Sequence, residues 1–396
     1  MEIRSVTLFC DPDSDPAALG RLWSAARGAF PVRVQSTRLG TTPFPDWLPR
    51  QGAAAAAAEF VAAWRAAGAD YVSLGPVRLG HDPAWLALLP DLLADAASTF
   101  ASLEIATTAG DIDVARCHAA AEVIRQVSAL RPDGFANLFL GALAACGPGH
   151  PFLPASYHGG GPASFAIAVE AADVALAAIA DAATLAEARA RLIAGIEDAA
   201  AALAPPAERL AAEFGLRFGG LDFSLAPYPT PDKSLGAALE ALGTRAGAPG
   251  ALFAAAFITA AIDEARFPRT GFSGLMLPVL EDATLARRAA AGELSLNDLL
   301  LYSAVCGVGL DTVPLPGDIA VATLAGILLD TAALAARLRK PLVARLMPLP
   351  GRGAGEATAF SFEYFAPGGV MRIAGEGVGG LLGGPGALAL AANRTR

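Results

Sequence analysis

Two stretches of this 396-residue chain set acids where chemistry is possible: Gly-Gly-Leu-Asp-Phe-Ser-Leu-Ala-Pro at 219–227 and Cys-Gly-Val-Gly-Leu-Asp-Thr-Val-Pro-Leu-Pro-Gly-Asp at 306–318. Both read Gly-Leu-Asp, then a nearby hydroxyl residue, then a proline five positions past the aspartate (Asp222 to Pro227, Asp311 to Pro316). Glycine permits close backbone approach and proline stiffens the exit from the turn, so each aspartate is a positioned carboxylate. Asp222, Asp311 and Asp318 form the leading candidate site. With the hydroxyls of Ser224 and Thr312 they offer the oxygen ligands that Ca²⁺ or Mg²⁺ requires. One of them, desolvated or close to a second acid, can instead act as general base. The same residues also hold turns by accepting backbone N–H bonds.

A second candidate is the loop 147–162, dense in Gly, Pro and His, where His158 precedes Gly159-Gly160-Gly161-Pro162. His158 there is a candidate acid/base, and the glycine-rich entry at Gly160 to an expected helix is a candidate anion cradle. Ser273, in Phe272-Ser273-Gly274, is a candidate for orienting substrate, as are Ser224, Thr312 and Gly307. A triad of Ser273, His158 and an aspartate lacks the G-x-S-x-G frame. No Walker loop is present, and Gly307-Val308-Gly309 has no third glycine three residues on, so no nucleotide cofactor is expected. Cys146, His150 and His158 match no familiar zinc spacing. Glu104, Asp111 and Asn137 are further polar candidates at strand ends, Asp111 doubling as a helix cap.

The elements that must position these groups alternate strand and helix. Strands are expected at 3–9, 31–37, 71–74, 102–107, 135–140, 271–279 and 342–347, with a hairpin at 358–373. Helices are expected at 15–29, 52–68, 83–100, 111–130, 164–180, 184–203, 234–242, 250–265, 295–302 and 319–336. Thr184 and Glu187 stand in capping-box spacing, and Pro205-Pro206 is expected to break the chain. The pattern is that of a single α/β domain over 1–396, better suited to a closed barrel than an open sheet, with a C-terminal hairpin and glycine-rich tail from about 357.

Composition removes several classes. The hydrophobic fraction is 54%, yet much of it is alanine and the apolar runs carry acids. The best spanning candidate, 319–336, reads as a buried helix, so no membrane is expected. A net charge of −9 with only 29 Lys and Arg disfavours nucleic acid. Cys10, Cys117, Cys146 and Cys306 lie far apart without CxxC spacing and read as reduced thiols, which with the absence of a basic leader suggests a cytoplasmic protein.

The motifs at 220–227, 272–274 and 306–318, with the loop Pro-Phe-Leu-Pro-Ala-Ser-Tyr-His-Gly-Gly-Gly-Pro at 151–162, resemble the uncharacterised UPF0210 proteins (domain of unknown function 711) over nearly the whole chain. The resemblance implies a ten-stranded β/α barrel with outer helices, similar to that of pyruvate formate-lyase and other glycyl radical enzymes. In such a barrel the thiol of Cys306, beside Gly307, can face the cavity as a nucleophile or substrate contact. A glycyl radical is not expected: Arg372-Ile373-Ala374-Gly375 is followed by Glu376 where that motif has an aromatic residue. Relatives also imply a small amino-acid-sensing regulatory partner. Alanine-rich helices and the glycine-rich end, 375–386, suggest a homo-oligomer. The expectation from all this is an enzyme acting on a small carboxylate or phosphate metabolite, or alternatively a non-catalytic metabolite- or ion-binding regulator.

Overall fold

Apolar side chains at every second position, held between short connections, build the sheet. A computed structural model describes residues 1–94 and 97–393. The strands are β1 (Glu2–Phe9), β2 (Thr37–Gly40), β3 (Tyr71–Val77), β4 (Thr99–Ala106), β5 (Asp111–Asp113), β6 (Leu140–Ala144), β7 (Ser164–Glu170), β8 (Arg217–Ala226), β9 (Gly309–Pro316), β10 (Leu342–Leu349) and β11 (Ala387–Ala389). Their order is β8-β7-β1-β2-β3-β4-β6-β10-β9, with β5 joined to β4 and β11 to β5.

Within that path β1, β2, β3, β4 and β6 run parallel. β7 is antiparallel to β1 and β10 antiparallel to β6. β8 runs parallel to β7 and β9 parallel to β10, so the two ends of the path come from the second, reversed set. The named strands form a mixed sheet that its hydrogen-bond ladder does not close. The segment 268–279 lies between the two end strands. Leu221 donates to Pro268 O at 2.7 Å, Thr270 to Leu221 O at 3.0 Å, Met276 to Ser224 O at 3.0 Å and Val279 to Asp311 O at 3.0 Å. Isolated parallel bridges join Leu221 to Arg269 and Pro278 to Asp311. Gly271 and Ser273 have φ of +64° and +41°, which interrupts the segment as a regular strand.

Several sequence expectations are corrected. The stretch 164–170 is strand rather than helix. Phe165, Ile167 and Val169 alternate into the core, and an antiparallel ladder to β1 outweighs the alanines. Residues 135–139 form a 3₁₀ turn, and the strand begins only at Leu140. The expected strand at 31–37 reduces to a bridge at Val34, with β2 starting at Thr37. Asp111–Asp113 is strand, with helix Val114–Ser128 after it. The expected hairpin at 358–373 keeps one bridge, Ala357 to Gly369. Of the expected 83–100 helix, Pro83–Leu88 is 3₁₀ and Leu89–Leu93 is α-helical; positions 95 and 96 lie outside the described residues.

Pro205 and Pro206 do not break the chain: helix Leu185–Phe214 runs through them. The carbonyls they leave without donors belong to Ala201 and Ala202, which are exposed to water and so lose little. Half of the expected capping box is present: Glu187 N donates to the Thr184 hydroxyl at 3.2 Å, while the Glu187 carboxylate accepts from Ala183 N, one residue before the cap, at 2.9 Å.

Helix Val321–Leu338 is long and apolar enough to cross a membrane, the one such helix among the described residues. Leu324, Ile327, Leu328, Thr331 and Ala335 on one face are buried within the protein. The glycine-rich tail returns to its own chain. Ala387, Leu388 and Ala389 pair with Asp113, Ile112 and Asp111, and Val114 N donates to Gly386 O at 2.8 Å.

Candidate functional site

The two Gly-Leu-Asp motifs fall on β8 and β9, the strands on either side of the 268–279 segment. Asp222 is buried and divides its oxygens between that segment and Ser224 on its own strand. Oδ1 accepts from Ser224 N at 3.0 Å, Ser224 Oγ at 2.5 Å and Ser273 N at 3.0 Å, while Oδ2 accepts from Phe272 N at 3.0 Å. Burial pushes this carboxyl above its ordinary value, opposed by those donors. Gly271 must lack a side chain, because a Cβ there would lie 2.0 Å from Asp222 Oδ2. Ser273 Oγ donates to Thr270 O at 2.8 Å and so serves the same turn.

Asp311 is used differently. Its Oδ1 accepts from Arg345 Nε at 2.6 Å, and its buried Oδ2 has no partner. Burial raises this carboxyl, and Glu281 adds to the rise while Arg345 opposes it. Thr312 beside it has φ of +42° and a buried hydroxyl without a partner. Arg345, on β10, also donates to Glu281 Oε1 at 3.1 Å and to Leu138 O at 3.4 Å. Glu281 is shared with Arg4 on β1, which reaches on to Glu170 at 3.3 Å. Lys233 then bridges Glu170 at 2.9 Å and Glu2 at 3.1 Å. The result is an alternating line of acid and base from Asp311 to Glu2. Each interior charge has two opposite neighbours, the condition under which buried ion pairs are tolerated.

Arg345, Glu281 and Arg4 of this line face a cavity of about 290 Å³, whose lining also includes Asp222, Ser224, Met276, Arg38 and Arg131. The other side is aromatic. Tyr71, Phe100, Phe139, Phe135, Phe362 and Tyr364 follow one another with ring centroids 5.0–5.8 Å apart. The guanidiniums of Arg38 and Arg4 stand over the two ends, 5.9 Å from the Tyr71 ring and 4.6 Å from that of Tyr364. Arg38 Nε donates to Ser36 Oγ at 3.0 Å, and among the described residues Arg38 has no carboxylate in salt-bridge contact. Burial and the neighbouring Arg4 pull it down to about 10 from a value normally beyond reach.

The other sequence candidates sit elsewhere. His158 is buried in its loop, its ring nitrogen 3.2 Å from Gly161 O and 3.6 Å from Asp11 Oδ1, and it does not line this cavity. Gly160, exposed at φ +85°, leads into strand β7 rather than a helix, so no helix N-terminus stands there. Cys306 caps helix Leu296–Val305 as a buried thiol pushed up to about 11 by burial. Gly307 packs against Gly274, where a Cβ on either would come within 2.6 Å of the other's Cα. Asp318 lies in an exposed turn after β9. Among the described residues no group of three or more His, Cys, Asp or Glu is arranged to hold a metal ion. Glu104 is turned to Leu79 N at 2.8 Å, and Asn137 lies buried in the 3₁₀ turn.

Sequence reasoning missed Arg4, Arg38, Arg345 and Glu281. A signal existed: Arg345 is a lone cation inside Leu-Val-Ala-Arg-Leu-Met, a strand buried along its whole length. A charge in such a strand must be answered by other charges nearby.

The family model described as "Uncharacterised ACR (DUF711)" matches residues 17–361. A UPF0210 protein of Pyrobaculum islandicum is 32% identical over 352 residues, 82% of this chain and 75% of that protein. The UPF0210 protein of Desulforudis audaxviator is 33% identical over 295 residues, 69% of this chain and 63% of its own length. For that of Pyrobaculum arsenaticum the identity is 40% over 222 residues, 52% of this chain and 48% of the relative, so this match spans about half the relative's length.

Proposed function

From a chain that belongs to the uncharacterised DUF711 family, whose description assigns no activity, we propose a protein that binds a small carboxylate- or phosphate-bearing metabolite in the cavity, with Arg38 as the anion's partner. The observation that carries this reading is the state of Arg38. Arg4, Arg345 and Lys233 each serve two carboxylates. Arg38 serves none among the described residues, yet lines the same cavity with only Ser36 on its Nε. A guanidinium stays charged and offers a fork matched to carboxylate or phosphate oxygens. Left half-buried without an anion it is costly, and an incoming ligand relieves that cost.

The sheet is proposed to close as a ten-stranded cylinder, with the 268–279 segment as the strand between β8 and β9, in the manner of the pyruvate formate-lyase barrel. In support are the four backbone hydrogen bonds from that segment to its two neighbours. The cavity then occupies the cylinder's interior, which suits a ligand site.

A catalytic form of this reading is favoured by one feature. Asp311 Oδ2 is buried without a partner behind Arg345, which binds Asp311 Oδ1 and itself lines the cavity. That carboxyl is the group proposed to hold or move a proton through Arg345's side of the cavity wall.

The test is a thermal-shift and calorimetric screen of small carboxylates and phosphate esters, with and without Mg²⁺ or Ca²⁺, on the native protein and on Arg38→Gln. Stabilisation by members of either class that the variant loses is the expected result. If no anion binds, or binding survives in the variant, the reading is wrong. Turnover of a stabilising ligand, abolished in Asp311→Asn, decides for an enzyme.

A further inference from the structure

The cavity's arginines and its rings together narrow the ligand. The charged lining is Arg4, Arg38, Arg131 and Arg345 with Asp222 and Glu281. Arg4 and Arg345 are held by Glu281 and by further acids behind the wall, and Arg131 stands over the Phe135 and Phe139 rings, 5.5 Å and 5.8 Å from their centroids. The fork of Arg38 touches none of those acids. One fork takes one carboxylate through two N–H bonds. The second charge of a dicarboxylate or phosphate monoester meets arginines that are already engaged, with Glu281 and Asp222 among them.

The body of the ligand is set by the aromatic side. Six rings run from Arg38 at Tyr71 to Arg4 at Tyr364. Four of the five successive pairs stand at 66–85° to one another and the last at 53°. Such edge-to-face chains accept a further ring in the same geometry, which adds about 0.5–1.5 kcal/mol per pair beyond area burial. At about 290 Å³ the space lies near the lower end of the range for small-molecule sites, roughly 300–1,000 Å³. That is room for one ring and a short acid arm.

Resting on the proposed anion-binding reading, we infer that the cavity is a site for a ring-bearing monocarboxylate, its carboxylate on the fork of Arg38 and its ring continuing the edge-to-face chain between Tyr71 and Tyr364. The ligand's carboxylate accepts both guanidinium N–H bonds. Its ring displaces cavity water from Phe100, Phe135, Phe139 and Phe362. No bond is made or broken in this step.

The experiment uses calorimetry on the full chain with five probes: 3-phenylpropionate, 3-cyclohexylpropionate, 3-phenylpropionamide, phenyl phosphate and glutarate. Phenylpropionate is expected to bind at least tenfold more tightly than each of the other four. Arg38→Lys, which keeps the charge but loses the fork, is expected to weaken it about tenfold, and Arg38→Gln to abolish it, with circular dichroism confirming the fold. If phenyl phosphate or glutarate binds as well as phenylpropionate or better, the monocarboxylate inference falls while the anion-binding reading stands. Equal binding of the cyclohexyl analogue overturns the ring assignment. Binding of the amide equal to that of the acid, or no binding by any probe, overturns the inference. If Arg38→Gln leaves phenylpropionate binding unchanged, both this inference and the anion-binding reading fall.

Discussion

Replacing Arg345 by Met isolates what holds the acidic line together. The side chain is 5% exposed and answers two acids, but the two are not equally dependent on it. Glu281 keeps Arg4. Asp311 loses the donor at 2.6 Å on Oδ1, and its Oδ2 has none already. The variant therefore carries one buried carboxylate without a single side-chain donor. Breaking a buried pair by removing one partner costs about 3–5 kcal/mol. With unfolding entropy near 2.1 cal/mol/K per residue, that loss lowers the melting temperature of a chain this long by roughly 4–6 °C. The pH dependence follows from the direction of the Asp311 shift. Burial holds its folded value above the unfolded one, and loss of the guanidinium moves it further up. A carboxyl raised on folding contributes stability that is complete below its unfolded value and is lost as pH rises through the folded one. The Arg345→Met deficit is therefore expected to be larger at pH 8 than at pH 5. Adding Asp311→Asn removes the stranded charge and is expected to restore at least half of the loss at pH 8. Denaturant unfolding of the wild type, the single variant and the double variant at both pH values makes the measurement. A deficit equal at the two pH values, or a double variant less stable than the single, refutes this account of the site.

The turn held by Asp222 gives a second expectation. Asp222→Asn turns an amide donor toward backbone N–H groups, so a loss of about 2–4 kcal/mol is expected by denaturant unfolding. Gly271→Ala meets both the Asp222 carboxylate and a left-handed backbone, and is expected to cost at least as much. Pro205→Ala is expected to do the reverse. This proline is exposed in the interior of a 30-residue helix, and alanine restores a hydrogen bond at a position where proline costs about 3 kcal/mol relative to alanine. A melting temperature unchanged or lowered counts against that. Finally, the four buried thiols are expected to resist a disulfide reagent at pH 8 until the protein unfolds. Burial pushes Cys10 and Cys117 up to about 12 and Cys306 to about 11, so the reactive thiolate is scarce in the folded state. Rapid labelling of one thiol in the native protein contradicts the placement of that residue.

Legibility in the sequence followed the range of the interaction. The helix cap at Thr184, with Glu187 in the first turn, was readable because both residues lie within one turn. Strand β1 was readable from its own alternation, as was the acidic character of the β8 and β9 ends. Strand β7 was not, because an alanine-rich segment is set as a strand by its seven-residue pairing with β1, some 160 residues away. The aspartates were found, but their duties were not separable by local pattern. Asp222 is answered by backbone N–H groups 50 residues on and Asp311 by an arginine 34 residues on. Three of the cavity's arginines, Arg4, Arg38 and Arg345, come from β1, β2 and β10, so only the assembled sheet brings them together.

The repetition of Gly-Leu-Asp has a structural reason that a shared catalytic duty does not require. The motif occurs on the two strands that flank the 268–279 segment. On β8 the backbone of Leu221 and Ser224 and the carboxylate of Asp222 hold its first half; on β9 the carbonyl of Asp311 holds its end at Val279. Gly274 and Gly307 then allow the backbone on the β9 side to touch it. Leu225, Ser273 and Thr312, three of the five non-glycine residues with positive φ among the described residues, cluster along this seam. Strain of that kind persists only where surrounding bonds over-determine the backbone. The seam is thus fixed from both sides, and that rigidity holds Arg345 through Asp311. Arg345 in turn anchors Glu281 and, through it, Arg4 at one end of the aromatic arc. The paired motifs thereby fix Arg345 and Arg4 in the wall of the cavity.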